Sequence, residues 1–223
     1  MISDIQRAII HPASFFRNNV HMDTAESSLF RPALVVAAVG IAGLFGSVLT
    51  SFATTEITFA DVGVVDLILV IIGGLLGVVG PFISWLIIGA LFFIGSLIFA
   101  GDGEFRDLLA AIGWGFAPRV LVPIVGGIIA FVFTPGASIT DPQQIQQAVQ
   151  SPGAIITYVV NTGAYVWAGV IWTYAVARVR NISIRGAAVV VGAVVVIEIL
   201  LNVGLPIIAA FLLESVLEST PTL

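Results

Sequence analysis

Two ionisable side chains, Arg119 and Glu198, lie deep inside stretches that otherwise carry no charge. In an apolar medium such groups either pass protons or ions along, or neutralise one another. An unpaired charge there costs several kcal/mol or draws water inward, so each needs a partner. Arg119 lies eleven residues past Leu108, and Glu198 twelve past Gly186; both positions open helices read in the same direction. At 1.5 Å per residue the two side chains sit about 16 and about 18 Å along, so their depths nearly match. The sequence therefore predicts an Arg119–Glu198 ion pair, assisted by Asn202 one turn beyond Glu198. As chemistry this would be a proton or ion relay, or part of a substrate path. As architecture it would be a lock between two helices.

Little else in the chain could react. It has no cysteine, which excludes disulfides, thiolate catalysis and Cys-based metal sites. The two histidines, His11 and His21, precede the first apolar block and are too few for a metal centre. Gly101-Asp102-Gly103-Glu104 lacks the lysine and glycine spacing of a phosphate loop and the oxygen ladder of a calcium loop. It reads as a turn leading into Phe105–Ile112, whose Phe105, Leu108, Leu109 and Ile112 share one face. No catalytic, cofactor-binding or metal-binding residue is predicted, and no enzyme activity. Thr157, Asn161, Thr162 and Thr173 are the other polar groups of note inside the spans, which is sparse lining for a transporter.

The elements that must position these residues follow from composition. Of 223 residues, 59% are hydrophobic and 9% charged, with mean hydropathy +1.13. Soluble domains run near 25% charged. About 20 consecutive apolar residues cross the roughly 30 Å hydrocarbon layer as a helix, and such runs recur along the chain. They predict an all-α, polytopic membrane protein: a five-helix bundle with spans near 32–53, 67–100, 108–133, 154–177 and 186–213. An interfacial segment, 1–31, precedes the membrane domain, 32–213, and a short tail, 214–223, follows. No signal-peptide pattern is apparent in the first residues, so the first span is expected to serve as the targeting element.

The block 67–100 is long for one span and short for two, and Gly80-Pro81 could kink one helix or open a hairpin. Arginine decides between these, because basic residues collect on the cytoplasmic side. With 67–100 as one span, Arg7, Arg17, Arg31, Arg106, Arg178, Arg180 and Arg185 all fall on one side, and the loops 54–66 and 134–153 hold none. That places the N-terminus in the cytoplasm, the C-terminus outside, and the protein in the cell membrane as a multi-pass chain. The loop 134–153 is read as containing a short polar helix, Gln143 to Gln150. All eight basic residues are arginine, and the net charge is −5. This acidity argues against nucleic acid as a partner and fits a salty cytoplasm, as in a halophilic archaeon, or a high-GC coding bias.

Before the first span, Ser3 could cap a helix containing Ile5, Ile9 and Ile10, which His11-Pro12 would end or bend. Phe15-Phe16 beside Arg17 is expected in the lipid headgroup zone, where apolar bodies and charged tips both find solvent. Within the spans, Gly40, Gly43 and Gly46, then Gly73, Gly77 and Gly80, recur at helical spacing, with Gly126 and Gly127 in the third span. Small residues on one face let helix backbones approach closely, so Gly40, Gly43, Gly73, Gly77 and Gly126 are predicted packing positions.

The chain resembles the Yip (Ypt-interacting protein) domain family of five-span membrane proteins, in its prokaryotic branch. The resemblance rests on Pro12-x-x-Phe15-Phe16 after an N-terminal helix, and on a long second span ending in Gly101-Asp102-Gly103-Glu104-Phe105. Gly113-Trp114-Gly115-Phe116-Ala117-Pro118 and two further spans follow, so it covers about 5–215. It implies the five-span topology. In eukaryotes the family is tied to Golgi and endoplasmic reticulum trafficking, Rab GTPase binding and membrane shaping, roles that depend on a soluble N-terminal region. With about thirty residues before the first span here, the Rab-related role is not carried over. The expected function is that of a non-enzymatic membrane protein that packs with itself or other membrane proteins in the bilayer. The alternative is a small transporter or channel using Arg119, Glu198 and Asn202.

Overall fold

The computed structural model describes residues 2–19, 29–54, 64–133, 147, 150–209 and 211–212, with side chains left aside at 18–19, 51–54 and 64–75. Every regular element among them is helical. Two short helices, α1 (Ile2–Ile10) and α2 (Pro12–Asn19), precede α3 (Phe30–Thr54) and α4 (Val64–Leu97). The third span is composite: α5 (Phe105–Gly113), a 3₁₀ stretch (Trp114–Val120) and α6 (Leu121–Phe133). Then come α7 (Pro152–Val179), α8 (Ile184–Ile199) and a π-helical turn (Leu200–Gly204), with helix continuing to 209. Among the described residues, five helical stretches are long and apolar enough to cross a membrane. The protein is an all-α bundle with five membrane-spanning helices.

The long apolar block is one unbroken helix with Pro81 inside it, so no hairpin opens at Gly80-Pro81. The loop 54–66, the polar segment around 143–150 and the tail from 213 lie essentially outside the described residues, as do His21 and Glu214.

Helix α3 packs along α6 and α4, while α7 packs along α8 and the 3₁₀ stretch. Glycine makes the α3 contacts possible. A Cβ on Gly40 would lie 2.9 Å from the Val78 Cα, and one on Gly127 2.8 Å from the Gly46 Cα. A Cβ on Gly46 would collide with the Pro123 carbonyl. The predicted positions Gly43, Gly77 and Gly126 are looser, at 3.9, 3.8 and 3.6 Å from their nearest neighbours. The surroundings of Gly73 lie outside the description. The tightest glycine crossing, Gly46 on Gly127, joins the first span to the third.

The core gathers at the arginine-rich end of the bundle. Trp172 is fully buried, meets Phe92 and Phe116 edge-on at 5.5 and 5.6 Å, and donates to the Ile112 carbonyl at 2.7 Å. Trp85 donates to the Leu109 carbonyl at 2.9 Å. Phe15 and Phe16 are buried in this core rather than set among headgroups. Phe15 meets Trp114 edge-on at 5.4 Å, because α2 turns at His11 and lays both rings on protein. Tryptophan and phenylalanine here gain apolar and ring-edge contacts that a polar interface would dilute.

Candidate functional site

The 3₁₀ stretch organises the site. With three residues per turn, side chains three apart eclipse one another, so Phe116 and Arg119 form one column. The Arg119 guanidinium carbon lies 5.0 Å from the Phe116 ring centre and 4.6 Å from that of Tyr165. Pro118 within the stretch lacks a backbone N–H and so favours a departure from regular α-helix. The higher rise, about 2.0 Å per residue, also carries Arg119 to about 19 Å past Leu108, close to the depth reckoned for Glu198.

Arg119 Nη1 lies 3.1 Å from Glu198 Oε1, with the two side chains 15% and 13% exposed. Arg119 Nη2 donates to the Tyr165 hydroxyl at 3.3 Å. The structure thus brings together Arg119, Glu198 and, unforeseen, Tyr165 from the third, fifth and fourth spans. The Nη1–Oε1 approach is an ion pair without hydrogen-bond alignment. Among the described residues, Glu198 Oε2 is buried with no donor to it. Asn202 does not join them: its amide donates to the Glu198 backbone carbonyl at 2.8 Å, and the side chain is exposed. The reason is local. Residues 200–204 are π-helical, and a freed carbonyl at such a turn takes the nearest donor.

Two threonines of the fourth span bond to their own helix. Thr157 donates to the Gly153 carbonyl at 3.0 Å and Thr173 to that of Gly169 at 2.8 Å. Among the described residues, no group of three His, Cys, Asp or Glu could hold a metal ion.

A second polar cluster escaped sequence reasoning. Arg180, one residue past α7, is 1% exposed. Its Nε donates to Ser96 Oγ at 2.8 Å, Nη2 to the Gly101 carbonyl at 2.7 Å, and Nη1 to the Gly103 carbonyl. Its guanidinium carbon lies 4.2 Å from the Phe93 ring centre. In return, the Asp102 amide donates to the Arg180 carbonyl at 3.1 Å. Burial pulls the guanidinium below the ordinary arginine range, and Asp102 acts in the opposite direction. Sequence reading took Arg180 only as a charge marking one side of the membrane. No spacing rule links an arginine to two glycine carbonyls some eighty residues earlier.

That loop is shaped to receive it. Helix α4 ends with the Gly101 amide on the Ser96 carbonyl at 3.0 Å and the Ala100 amide on that of Leu97 at 3.0 Å, a Schellman cap. Ala100 takes φ +55° at the left-handed position. Gly103 has φ +93°, and a side chain there would strike the Val179 carbonyl.

A family model described as the Yip1 domain matches residues 7–205. The chain is also similar, at 25% identity over 138 residues, to an uncharacterized protein of Methanocaldococcus jannaschii, covering 59% of this chain and 91% of that one. No solved structure matches.

Proposed function

Because the chain belongs to the Yip1 domain family, we propose that it is a non-enzymatic packing or scaffolding component of the cell membrane, associating with itself or with other membrane proteins. The Arg119–Glu198 contact, 3.1 Å long and screened by the Phe116 and Tyr165 rings, carries this reading. It serves as a lock that ties the third span to the fifth and keeps the bundle's outer faces in fixed register. Arginine placement supports a cytoplasmic N-terminus and an external C-terminus. An acidic, lysine-free composition supports a source with a salty cytoplasm. The test is photocrosslinking in native membranes from exposed positions such as Ile94 and Val189. A reproducible adduct with a second copy or another membrane protein is expected. Adducts with lipid alone from every exposed face would overturn the scaffold reading.

The alternative, a small transporter, draws on one observation: Glu198 Oε2 is buried without a donor, beside a 3₁₀ stretch in one span and a π turn in another. π turns within helices cluster at functional sites. Proton or ion flux through vesicles holding the protein, abolished by Glu198→Gln, would favour it over the lock.

A further inference from the structure

The Arg119–Glu198 pair leaves two polar atoms unspent. Among the described residues, Arg119 Nη1 and Glu198 Oε2 are buried with no hydrogen-bond partner. Buried polar atoms are nearly always paired, by protein or by ordered water. Further polar groups lie on one side of the pair. Asn161 and Tyr158 stand four and seven residues before Tyr165, on the same face of α7. Asn161 sits about 14 Å along the helix from Pro152, and among the described residues its carboxamide has no hydrogen-bond partner. Asn202 keeps its carboxamide oxygen after donating to the Glu198 carbonyl. Because α7 and α8 run in opposite directions, one turn before Tyr165 and one turn after Glu198 fall toward the same end, that of Pro152. The π turn carrying Asn202 touches α7 there.

Packing divides at the same level. From Tyr165 toward Val179, α7 buries a residue at every turn, Ala168, Trp172 and Val176 among them; from Tyr165 back to Pro152 it buries Gly153 alone. On the closed side Phe116 and Trp172 are 1% and 0% exposed, and a side chain on Gly115 would strike the Trp172 indole. The orphaned donor and acceptor stand at the boundary between the two halves. Arg119 beside the carboxylate disfavours a metal cation, and Glu198 beside the guanidinium disfavours an anion. A neutral molecule that both donates and accepts satisfies the two atoms together, and water needs two to four such partners. We propose that water enters the bundle from the Pro152 end along Tyr158, Asn161 and Asn202, and stops at Glu198 Oε2 and Arg119 Nη1 against the aromatic core. Glu198 then exchanges protons with the solution at that end and not with the one at the arginine-rich end. A blind cleft of this kind transports nothing by itself, so it stands whether the ion pair is a lock or a relay.

The chain has no cysteine of its own, so single cysteines in the full protein, in sealed vesicles, report cleanly to a membrane-impermeant methanethiosulfonate. Gln150→Cys and Glu104→Cys, exposed near the two ends of the bundle, mark which side the reagent reaches. Val159, 67% exposed, lies at the depth of Asn161 but on the opposite face of α7, where a thiol would meet lipid. The reagent takes a thiolate in water, so Tyr158→Cys and Asn161→Cys should react at least about tenfold faster than Val159→Cys. They should do so from the side on which Gln150→Cys reacts, while Ala168→Cys stays unmodified from either side. Equal rates at positions 159 and 161 would overturn the proposal, because the face would then be lipid-covered. Reaction of Asn161→Cys from the Glu104→Cys side would refute the direction of entry. Modification of Ala168→Cys would mean a path through the core and would refute the blind end. Should the variants misfold, a hydroxyl-radical pulse on the unaltered protein decides. Tyr165, only 5% exposed, should be oxidised by adjacent water while Phe116 and Trp172 are spared; an unoxidised Tyr165 refutes the cleft. Neither measurement reads crosslinks or flux, so both are decided separately from the two readings of function.

Discussion

Arg180 should be the side chain whose removal costs this bundle most at its loop end. Its guanidinium donates to Ser96 Oγ and to the carbonyls of Gly101 and Gly103, and lies over Phe93. A hydrogen bond from a charged donor contributes roughly 1.5–3 kcal/mol, and a cation over a ring about 0.5–2 kcal/mol. The full sum is not lost in Arg180→Met, because the glycine carbonyls belong to a loop that can turn toward water. Ser96 Oγ also keeps its own bond to the Phe93 carbonyl at 2.7 Å. The expected cost is therefore about 3–4 kcal/mol, near the range for breaking a buried charged contact. Arg180→Lys keeps the charge but cannot reach three diverging acceptors at once, so it should lose about 2 kcal/mol. Unfolding in mixed detergent–SDS micelles, followed by circular dichroism, measures both. Hydrogen exchange at the Asp102 amide, which is bonded to the Arg180 carbonyl, should speed up in parallel. If Arg180→Met stays within about 1 kcal/mol of the parent, below the smallest single bond counted here, the clamp contributes nothing and the reasoning fails.

Further outcomes can be measured, most of them by the same unfolding assay. Arg119→Met or Glu198→Leu alone should destabilise by about 3–5 kcal/mol by stranding a charge, while the double variant returns close to the parent; a double variant as weak as the worse single one would contradict the lock. Gly46→Ala should cost about 1–3 kcal/mol through collision with the Pro123 carbonyl. At Gly192, where an added Cβ would meet nothing within 4 Å beyond its own stretch of helix, alanine should be neutral or should stabilise by about 0.5–1 kcal/mol. Ala100→Gly should stabilise by about 0.5–1 kcal/mol by relieving the left-handed conformation, whereas Gly103→Ala should destabilise, with loosening of loop 101–104 seen as faster proteolysis there.

Much of the architecture was legible because composition alone decides it: an uncharged run of span length has few alternatives to a membrane helix. The approach of Arg119 to Glu198 could be anticipated for a related reason, since two isolated charges in lipid have strong cause to meet. Finer features were not legible. Phe15-Phe16 beside Arg17 looks the same whether it faces headgroups or protein, and only the turn at His11 decides it. Asn202 sits at helical spacing from Glu198, yet the π turn hands it the backbone carbonyl instead of the carboxylate. Arg180 resembles any arginine outside a span. Its acceptors are backbone carbonyls, and these leave no mark in a sequence.

The overwound stretch in the third span has a consequence for what changes the chain tolerates. At about 120° per residue instead of about 100°, seven 3₁₀ residues put the helix that follows about 140° ahead in phase and roughly 3.5 Å further along. A wheel drawn through 108–133 as one α-helix therefore assigns the wrong facing to everything beyond Val120. The fit of Gly127 on Gly46 depends on that advance. Deleting one residue between Trp114 and Val120 would swing Gly127 about a third of a turn off the first span. Insertions or deletions within the stretch should then be poorly tolerated whatever residues fill it, because the segment acts as a phase adjuster between the two halves of one membrane crossing.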